Sequence, residues 1–194
     1  MKYATRINSF LRFDSNLLNA FQSIGAIEGV DYVDLNYPEH FADYDIEVIK
    51  AKMEECGLKC NAINLRFRDK YIGGEFGNHE PSISQDAIAL CREAADACRR
   101  LGGNQMIIWL GFDGFDYSFQ IDYVSYWNRI VKAFRDVYAL CGGRLLRSAF
   151  AVYLVQQYLA QAHGVGMLLT VITHPCSATL AGAGEVVYIE NAQL

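Results

Sequence analysis

The chain has 194 residues, of which 52% are hydrophobic and 13% aromatic, so it has enough apolar side chains for a folded domain and is not a disordered polypeptide. Its net charge of −5 argues against a protein that coats DNA or RNA. The amino-terminal segment MKYATRINSFLRFD has charges within its apolar stretch and no small-residue cleavage site, so no secretory signal is predicted. We therefore expect a cytoplasmic protein whose six cysteines, none in a C-x-x-C spacing, are reduced and mainly part of the core.

Strands and helices alternate along the first 140 residues. The predicted strands are 3–10, 32–36, 59–64 and 105–109, and the predicted helices are 15–24 with Ser15 as N-cap, 45–56, about 84–101 and one that begins near Tyr123. This order predicts an α/β fold with parallel strands joined by right-handed crossovers. Long, chemically rich loops follow the third and fourth strands, whereas the loops that precede strands are short. This asymmetry favours a (β/α)8 TIM barrel, although a doubly wound open sheet also satisfies the alternation.

The loop after the fourth strand, Trp109 to Tyr117, interleaves aromatic residues with glycines and two aspartates. Two glycines let the backbone turn sharply, and stacked aromatics beside a few polar groups suit the apolar face and hydroxyls of a sugar. A well-packed loop with ordinary Asx turns is the alternative. We favour a binding site, because so many aromatic side chains are costly to leave exposed without a use.

The loop after the third strand starts beyond Asn64, which we expect at the carboxyl end of that strand, where side chains point into a barrel mouth. Arg66 and Arg68 could bind a phosphate, but two arginines without a nearby helix N-terminus are weak evidence for such a site, and we expect them instead to form surface pairs with Asp69 and Glu75.

Two histidines and two carboxylates in or near the ends of the predicted strands can also be considered as catalytic residues. His40 follows a proline in a polar loop and is expected to be solvent-exposed, and His79 is expected to cap the next helix rather than bind metal. Asp34 and Glu39 are acid or base candidates on position alone, and we assign a role to neither.

Residues 59–134 resemble the xylose-isomerase-like TIM-barrel superfamily of sugar isomerases and epimerases. The resemblance is carried by Asn64 closing a strand, the aromatic-glycine loop 67–76, the helix end Leu101-Gly102-Gly103 and the strand end Ile108-Trp109-Leu110-Gly111. It implies that Trp109 lines the sugar pocket. Asn36 stands where xylose isomerases proper carry a histidine, which points toward rhamnose-isomerase-like or epimerase-like enzymes. The candidate substrate-binding residues are Trp109, Phe112, Asn64, Phe67 and Asn36.

The resemblance also implies one or two divalent cations, Mn²⁺, Mg²⁺ or Co²⁺, held by Glu, Asp and His at the ends of strands five to eight. No ligands can be identified in this chain. Residues 1–140 are predicted to be the amino-terminal half of a barrel, whereas residues 141–194 form a charge-poor tail with only four charged residues and no Asp. Our hypothesis is that this tail results from a frameshift, a misjoined exon or a truncated reading frame.

The tail could also be considered as a membrane span. However, Gln156, Gln157, Gln161 and His163 interrupt its apolar stretch, so we expect no membrane role. An apolar helix at about 145–162 is predicted instead. A half-barrel has open sheet edges, and the tail or a second copy must cover them, so we expect a homo-oligomer.

Three functions follow from these observations. The leading one is a metal-dependent sugar isomerase or epimerase acting through a polarised carbonyl, inactive if its metal-binding half is missing. A non-catalytic half-barrel that binds or scaffolds is the alternative. An endonuclease-IV-like DNA repair enzyme would require histidines at the ends of strands three and four, where Asn64 and Trp109 stand, and a basic groove. The expected partner is a small-molecule sugar, not nucleic acid.

Overall fold

The structure is a computed structural model that describes residues 3–103, 105–111, 114–117 and 119–140, together with the backbone of three short strands at 146–149, 169–172 and 188–191. The chain divides into two compact units. The first comprises Met1–Arg66 and Glu93–Ile107, and the second comprises Phe67–Arg92 and Ile108–Leu194.

Strands and helices alternate as the sequence predicts. The strands are β1 (Tyr3–Arg6), β2 (Val30–Tyr37), β3 (Lys59–Arg66), β4 (Gln105–Trp109), β5 (Leu146–Ala149), β6 (Leu169–Ile172) and β7 (Tyr188–Asn191); the helices are α1 (Asn8–Leu11), α2 (Leu17–Gly25), α3 (Ile46–Glu55), α4 (Pro81–Arg100) and α5 (Tyr123–Leu140). The first five strands form a sheet in the order β1-β2-β3-β4-β5, and β6 pairs with β7 in a separate antiparallel sheet.

The first unit is built on parallel pairing of β1 with β2 and of β2 with β3. Val33 and Leu35 on β2 and Ile63 and Leu65 on β3 are completely buried. Because side chains alternate along a strand, these four share one face, and α2 and α3 contact the two strands. The opposite face of the same strands is polar.

The start of the chain differs from the prediction in two respects. The strand predicted at 3–10 is wrong beyond Arg6, because the buried Ile7 turns the chain and its carbonyl accepts from Phe10 at 2.9 Å to open α1. Helix α2 is capped by Asn16 rather than Ser15. The Asn16 side chain accepts from the amides of Leu18 and Asn19 at 2.9 and 3.2 Å, which satisfies two of the free donors at the helix start.

The core of the second unit is aromatic. Phe76 makes edge-to-face contacts with Phe67 and with Phe134 of α5, with ring centroids 5.7 and 5.1 Å apart. Tyr126 of α5 is buried against Gly77. The next residue, Trp127, is only half-buried, so Tyr126 takes the inward position on this helix.

Two further boundaries differ from the sequence prediction. Helix α4 begins at Pro81, three residues before the predicted start, because proline is tolerated in the first helical turn. The helix predicted at about 145–162 is wrong at its start, where β5 forms; the rest of that range lies outside the described residues.

Four cysteines in the described part of the chain, Cys56, Cys60, Cys91 and Cys98, are free thiols, and all but Cys56 are buried. This confirms the predicted core role for Cys60, Cys91 and Cys98 but not for Cys56, whereas Cys141 and Cys176 lie outside the described residues. No helix in the described ranges is both long and apolar enough to cross a bilayer.

The contact between Gly77 and Tyr126 predicts a large effect of a small substitution. A Cβ at Gly77 would overlap the Tyr126 ring, which is 1% exposed and cannot move into solvent. Gly77→Ala should therefore lower the free energy of unfolding by about 1–3 kcal/mol, measured by urea denaturation. Gly73→Ala in the same loop is the matched control, since its Cβ would meet only Asn78 Nδ2 at an ordinary 3.5 Å. Equal stability of the two variants would contradict the prediction.

Candidate functional site

Five polar residues lie at or just beyond the carboxyl ends of the first three strands: Arg6, Asn36, His40, Asn64 and Arg66. We call them the carboxyl-edge cluster. Arg6 ends β1, Arg66 ends β3, and Asn36 on β2 is paired directly with Asn64 on β3. The register of the parallel sheet therefore places these residues together at one edge, the edge at which barrel enzymes hold their ligands.

Asn36 is the most buried member of the cluster, with no exposed surface. Its backbone N–H donates to His40 Nδ1 at 2.9 Å, and its side-chain Nδ2 donates to Glu39 Oε2 at 3.1 Å. Its side-chain Oδ1 is also buried and has no hydrogen-bond partner among the described residues. A buried acceptor without a partner is costly, so it marks a position where a ligand hydroxyl would be stabilising.

His40 corrects the expectation that it would be exposed, since only 7% of its surface is accessible. A short 3-10 turn at Glu39–Phe41 folds the ring back toward the end of β2. Burial lowers the pKa of His40 to about 4; the charge of Glu39 opposes this shift, and those of Arg6 and Arg66 add to it. Since Nδ1 accepts a hydrogen bond, the ring is neutral and carries its proton on Nε2.

The remaining polar groups on this face are held by neighbouring strands. Asn64 is half-buried, and its Nδ2 reaches the Leu35 carbonyl at 3.5 Å. Asp34 accepts from Asn61 Nδ2 at 2.7 Å, and burial raises the pKa of its carboxyl despite the opposing effects of Asn61 and Arg6. The face therefore offers amide groups and one neutral imidazole beside charged side chains.

In the second unit, the loops that follow β3 and β4 are joined by a buried carboxylate. Glu75 has no exposed surface, and its Oε1 accepts from the backbone N–H of Gly111 at 2.9 Å. The same loops touch at a second point, where a Cβ on Gly114 would overlap the Gly73 carbonyl. Only glycine at position 114, where φ is +86°, permits this close approach.

The candidate residues from the sequence occupy different environments. Asn36 and Asn64 are brought together by the β2–β3 register. Trp109 ends β4 with 57% of its surface exposed, whereas Phe67 is 6% exposed and packs against Tyr71 and Phe76. Phe112 lies outside the described residues. The roles assigned to all five stay predictions.

Sequence reasoning missed His40 and Arg6 as members of the carboxyl-edge cluster, and Glu75 as the buried link between the loops after β3 and β4. His40 stands four residues after Asn36, a spacing that could have suggested a return contact across the turn. Glu75 lies within the glycine-rich loop and was assigned only as a surface partner of arginine. Arg6 was overlooked because the first strand was predicted to continue to residue 10.

The cation implied by the resemblance needs carboxylate and imidazole donors close together. Among the residues that the structure describes, no group of three or more His, Cys, Asp or Glu side chains could hold a metal ion. The donor set of the described residues therefore does not fit that cation, and no catalytic step can be derived through it.

A sheet with parallel pairing, crossover helices and a polar carboxyl edge defines an α/β protein, and the family match identifies it as one of the barrel type. Residues 22–145, more than half of the chain, match the family model described as xylose isomerase-like TIM barrel, and the chain belongs to this family. The predicted family and fold class are confirmed. The matched region ends at residue 145, and the predicted boundary after residue 140 stays a prediction.

Curated relatives of similar sequence are xylose isomerases. The chain is 26% identical over 101 residues to xylose isomerase of Enterococcus faecalis, which covers 50% of this chain and 23% of that protein. It is 29% identical over 79 residues to xylose isomerase of Brucella anthropi, which covers 40% of this chain and 18% of that protein. The similarity thus spans less than a quarter of either relative.

Solved structures of similar fold are D-psicose 3-epimerase with D-tagatose from Clostridium cellulolyticum H10 (TM-score 0.57, 16% identity, 81% of this chain and 60% of that chain), 3-keto-D-glucoside 4-epimerase from E. coli (TM-score 0.57, 16% identity, 83% and 64%) and an AP endonuclease, family 2, from Brucella melitensis (TM-score 0.56, 16% identity, 73% and 50%). At these identities the likeness shows the fold alone.

The burial of His40 predicts a specific loss of stability in mild acid. In the unfolded chain the imidazole takes up a proton near pH 6.5, whereas the folded state resists protonation down to a pKa of about 4. The unfolded state therefore binds more protons across this window, and the free energy of unfolding falls as the pH falls. Between pH 7 and pH 5, His40 should account for a loss of about 2 kcal/mol.

The measurement is urea denaturation of the wild type and of His40→Gln at both pH values. The difference in stability between the two proteins should change by the stated amount between pH 7 and pH 5. His79→Gln is the matched control, because the His79 side chain is 73% exposed, and it should retain the pH dependence of the wild type. An unchanged pH dependence in His40→Gln would contradict the assignment.

Proposed function

We propose that the chain is a member of the sugar isomerase and epimerase branch of its family and that its described half binds a sugar at the carboxyl-edge cluster. The observation that carries the proposal is the completely buried Asn36 side chain at the carboxyl end of β2, whose Oδ1 lacks a partner among the described residues. A sugar hydroxyl donates a hydrogen bond of the kind this oxygen requires.

The polarity of the cluster supports sugar recognition. Asn36 and Asn64 supply amide groups on paired strands, and His40 supplies a neutral ring whose orientation is held by the Asn36 N–H. Neutral donors and acceptors in fixed positions suit hydroxyl groups, since each hydroxyl can donate and accept. Trp109, whose side chain is exposed at the end of β4, is proposed as a sugar-stacking residue because of the family resemblance alone.

The sequence further predicts a specific reaction, which is the interconversion of an aldose and a ketose, or an epimerisation, with the help of a divalent cation. This chemistry requires a set of carboxylate and imidazole ligands that the described residues do not bring together. The same observation favours a second candidate function, a half-barrel that binds sugar without converting it.

Isothermal titration calorimetry of the full chain with D-fructose and D-xylose tests the binding proposal. Asn36→Leu keeps a similar side-chain size but removes the amide, and it should weaken binding about ten-fold through loss of one buried hydrogen bond. Asn61→Leu on β3 is the matched control, because Asn61 bonds to Asp34 rather than to the cluster, and it should bind as the wild type does. Circular dichroism verifies that both variants fold.

Failure of the wild type to bind either sugar would refute the proposal. Equal weakening by both asparagine substitutions would place the effect in the stability of the sheet rather than in recognition, and would also count against it.

Titration with metal separates catalysis from binding alone. A cation that binds only the folded state at a hundred-fold excess over its Kd adds about 2.7 kcal/mol of stability. Among the described residues, no group of three or more His, Cys, Asp or Glu side chains could hold a metal ion. We therefore expect MnCl2 and CoCl2 to leave Tm unchanged relative to KCl of equal ionic strength. A rise in Tm, together with turnover of D-fructose or D-xylose, would instead favour the isomerase or epimerase.

A further inference from the structure

Two arginines flank the buried Asn36 side chain, and sugar hydroxyls do not require their charge. Arg6 is the last residue of β1, and Arg66 is the last residue of β3. Strand β2 lies between these two strands in the sheet. The two guanidinium groups thus come from strand ends on either side of Asn36.

The register places both arginines on the polar face. Arg6 is paired with Asp34, and Asn36 is paired with Asn64. Residues two apart in a strand project to the same face, so Asp34 shares a face with Asn36, and Asn64 with Arg66. All five side chains therefore lie on one face, with the two cations at its carboxyl edge.

Neither arginine forms an ion pair with a carboxylate within the described residues. The ion pairs of lysine and arginine found there include Lys52–Glu55, Lys70–Asp86, Arg99–Asp96, Arg100–Glu47 and Lys132–Asp136. The expected pairing of Arg66 with Asp69 or Glu75 is not among them.

Two carboxylates do lie near the cluster, but each is engaged by an amide. Asp34 accepts from Asn61 at 2.7 Å, and Glu39 accepts from Asn36 at 3.1 Å. The positive charges of Arg6 and Arg66 nevertheless both reach the buried ring of His40, where they help to lower its pKa. Two guanidinium groups that bear on one buried position make a site for negative charge.

We propose that Arg6 and Arg66 form an anion subsite and that the preferred ligand of the carboxyl-edge cluster is a sugar bearing a carboxylate or a phosphate group. Guanidinium groups match the geometry of both anions through paired hydrogen bonds. In this arrangement the anionic group lies between Arg6 and Arg66, and the hydroxyls of the same molecule reach Asn36 and Asn64. The sugar part of this inference rests on the proposed function.

Calorimetry with four probes tests the inference on the full chain: D-glucose, D-glucuronate, D-glucose 6-phosphate and inorganic phosphate. At least one charged sugar should bind about ten-fold more tightly than glucose, and added KCl should reduce that advantage. The carboxylate and phosphate arms distinguish the two sources of negative charge.

Substitutions locate the effect. Arg6→Gln and Arg66→Gln should each lower the affinity for the charged sugar about ten-fold more than they lower the affinity for glucose. Arg66→Lys retains the charge but not the paired hydrogen bonds, and it should fall between the wild type and Arg66→Gln. Lys59→Gln removes the same charge from the exposed opposite end of β3 and should have no effect.

The outcomes separate the two proposals. Equal affinity for glucose and both charged sugars would overturn the anion subsite and leave sugar binding intact. Binding of inorganic phosphate without any sugar, abolished by Arg66→Gln, would keep the anion subsite and refute the proposed function. Absence of binding by all four probes would refute both the anion subsite and the proposed function. If Lys59→Gln lost as much affinity for the charged sugar as Arg66→Gln, the anion subsite alone would be refuted.

Discussion

The parallel register of β2 against β3 determines which side chains meet at the carboxyl edge. Leu35 is paired with Ile63 on the buried face, and this apolar pairing fixes Asn36 beside Asn64 on the other face. A shift of one residue would bury the asparagines in the core and expose the leucine and isoleucine, at a cost of several kcal/mol. Hydrophobic burial on one side of the sheet therefore sets the polar site on the other.

Burial also determines the chemical state of that site. A histidine in water would be partly protonated near neutral pH, but the ring of His40 is almost completely enclosed and lies within reach of two arginine charges. Both effects favour the neutral ring, which can then accept the Asn36 N–H. The backbone at the end of β2 and the protonation state of His40 therefore support each other, and neither is independent of the packing around them.

The sequence predicted the alternation of strands and helices because hydrophobic periodicity and glycine positions are local signals. It gave β4 at its observed bounds and placed Asn36 and Asn64 near the ends of their strands. The end of β1 could not be predicted from local pattern, because Ile7 leaves the strand in response to tertiary burial. The Asn16 cap also competes with an equally suitable neighbour, Ser15, and only backbone geometry decides between them.

The environment of a side chain was harder to predict than its place in the chain. His40 was expected in solvent because its neighbours are polar, but the turn after β2 directs the ring inward. The Phe67 ring packs in an aromatic core, and its role in ligand binding stays a prediction. Arg66 was expected to have a carboxylate partner nearby in sequence, whereas the neighbours that matter lie on adjacent strands. The errors for His40 and Arg66 have the same origin, because the fold around a side chain determines its environment and the polarity of its sequence neighbours does not.

The link from Glu75 to Gly111 has a consequence for how this chain can diverge. Barrel proteins usually acquire new specificities by lengthening or shortening the loops that follow their strands, since each loop can vary without disturbing the others. Here a buried carboxylate in one loop holds the backbone of the next, and Gly114 lies against Gly73 at a second point. An insertion in either loop would break both contacts. We therefore expect these two loops to vary in length only together across descendants of this sequence, while new specificity arises by exchange of single side chains.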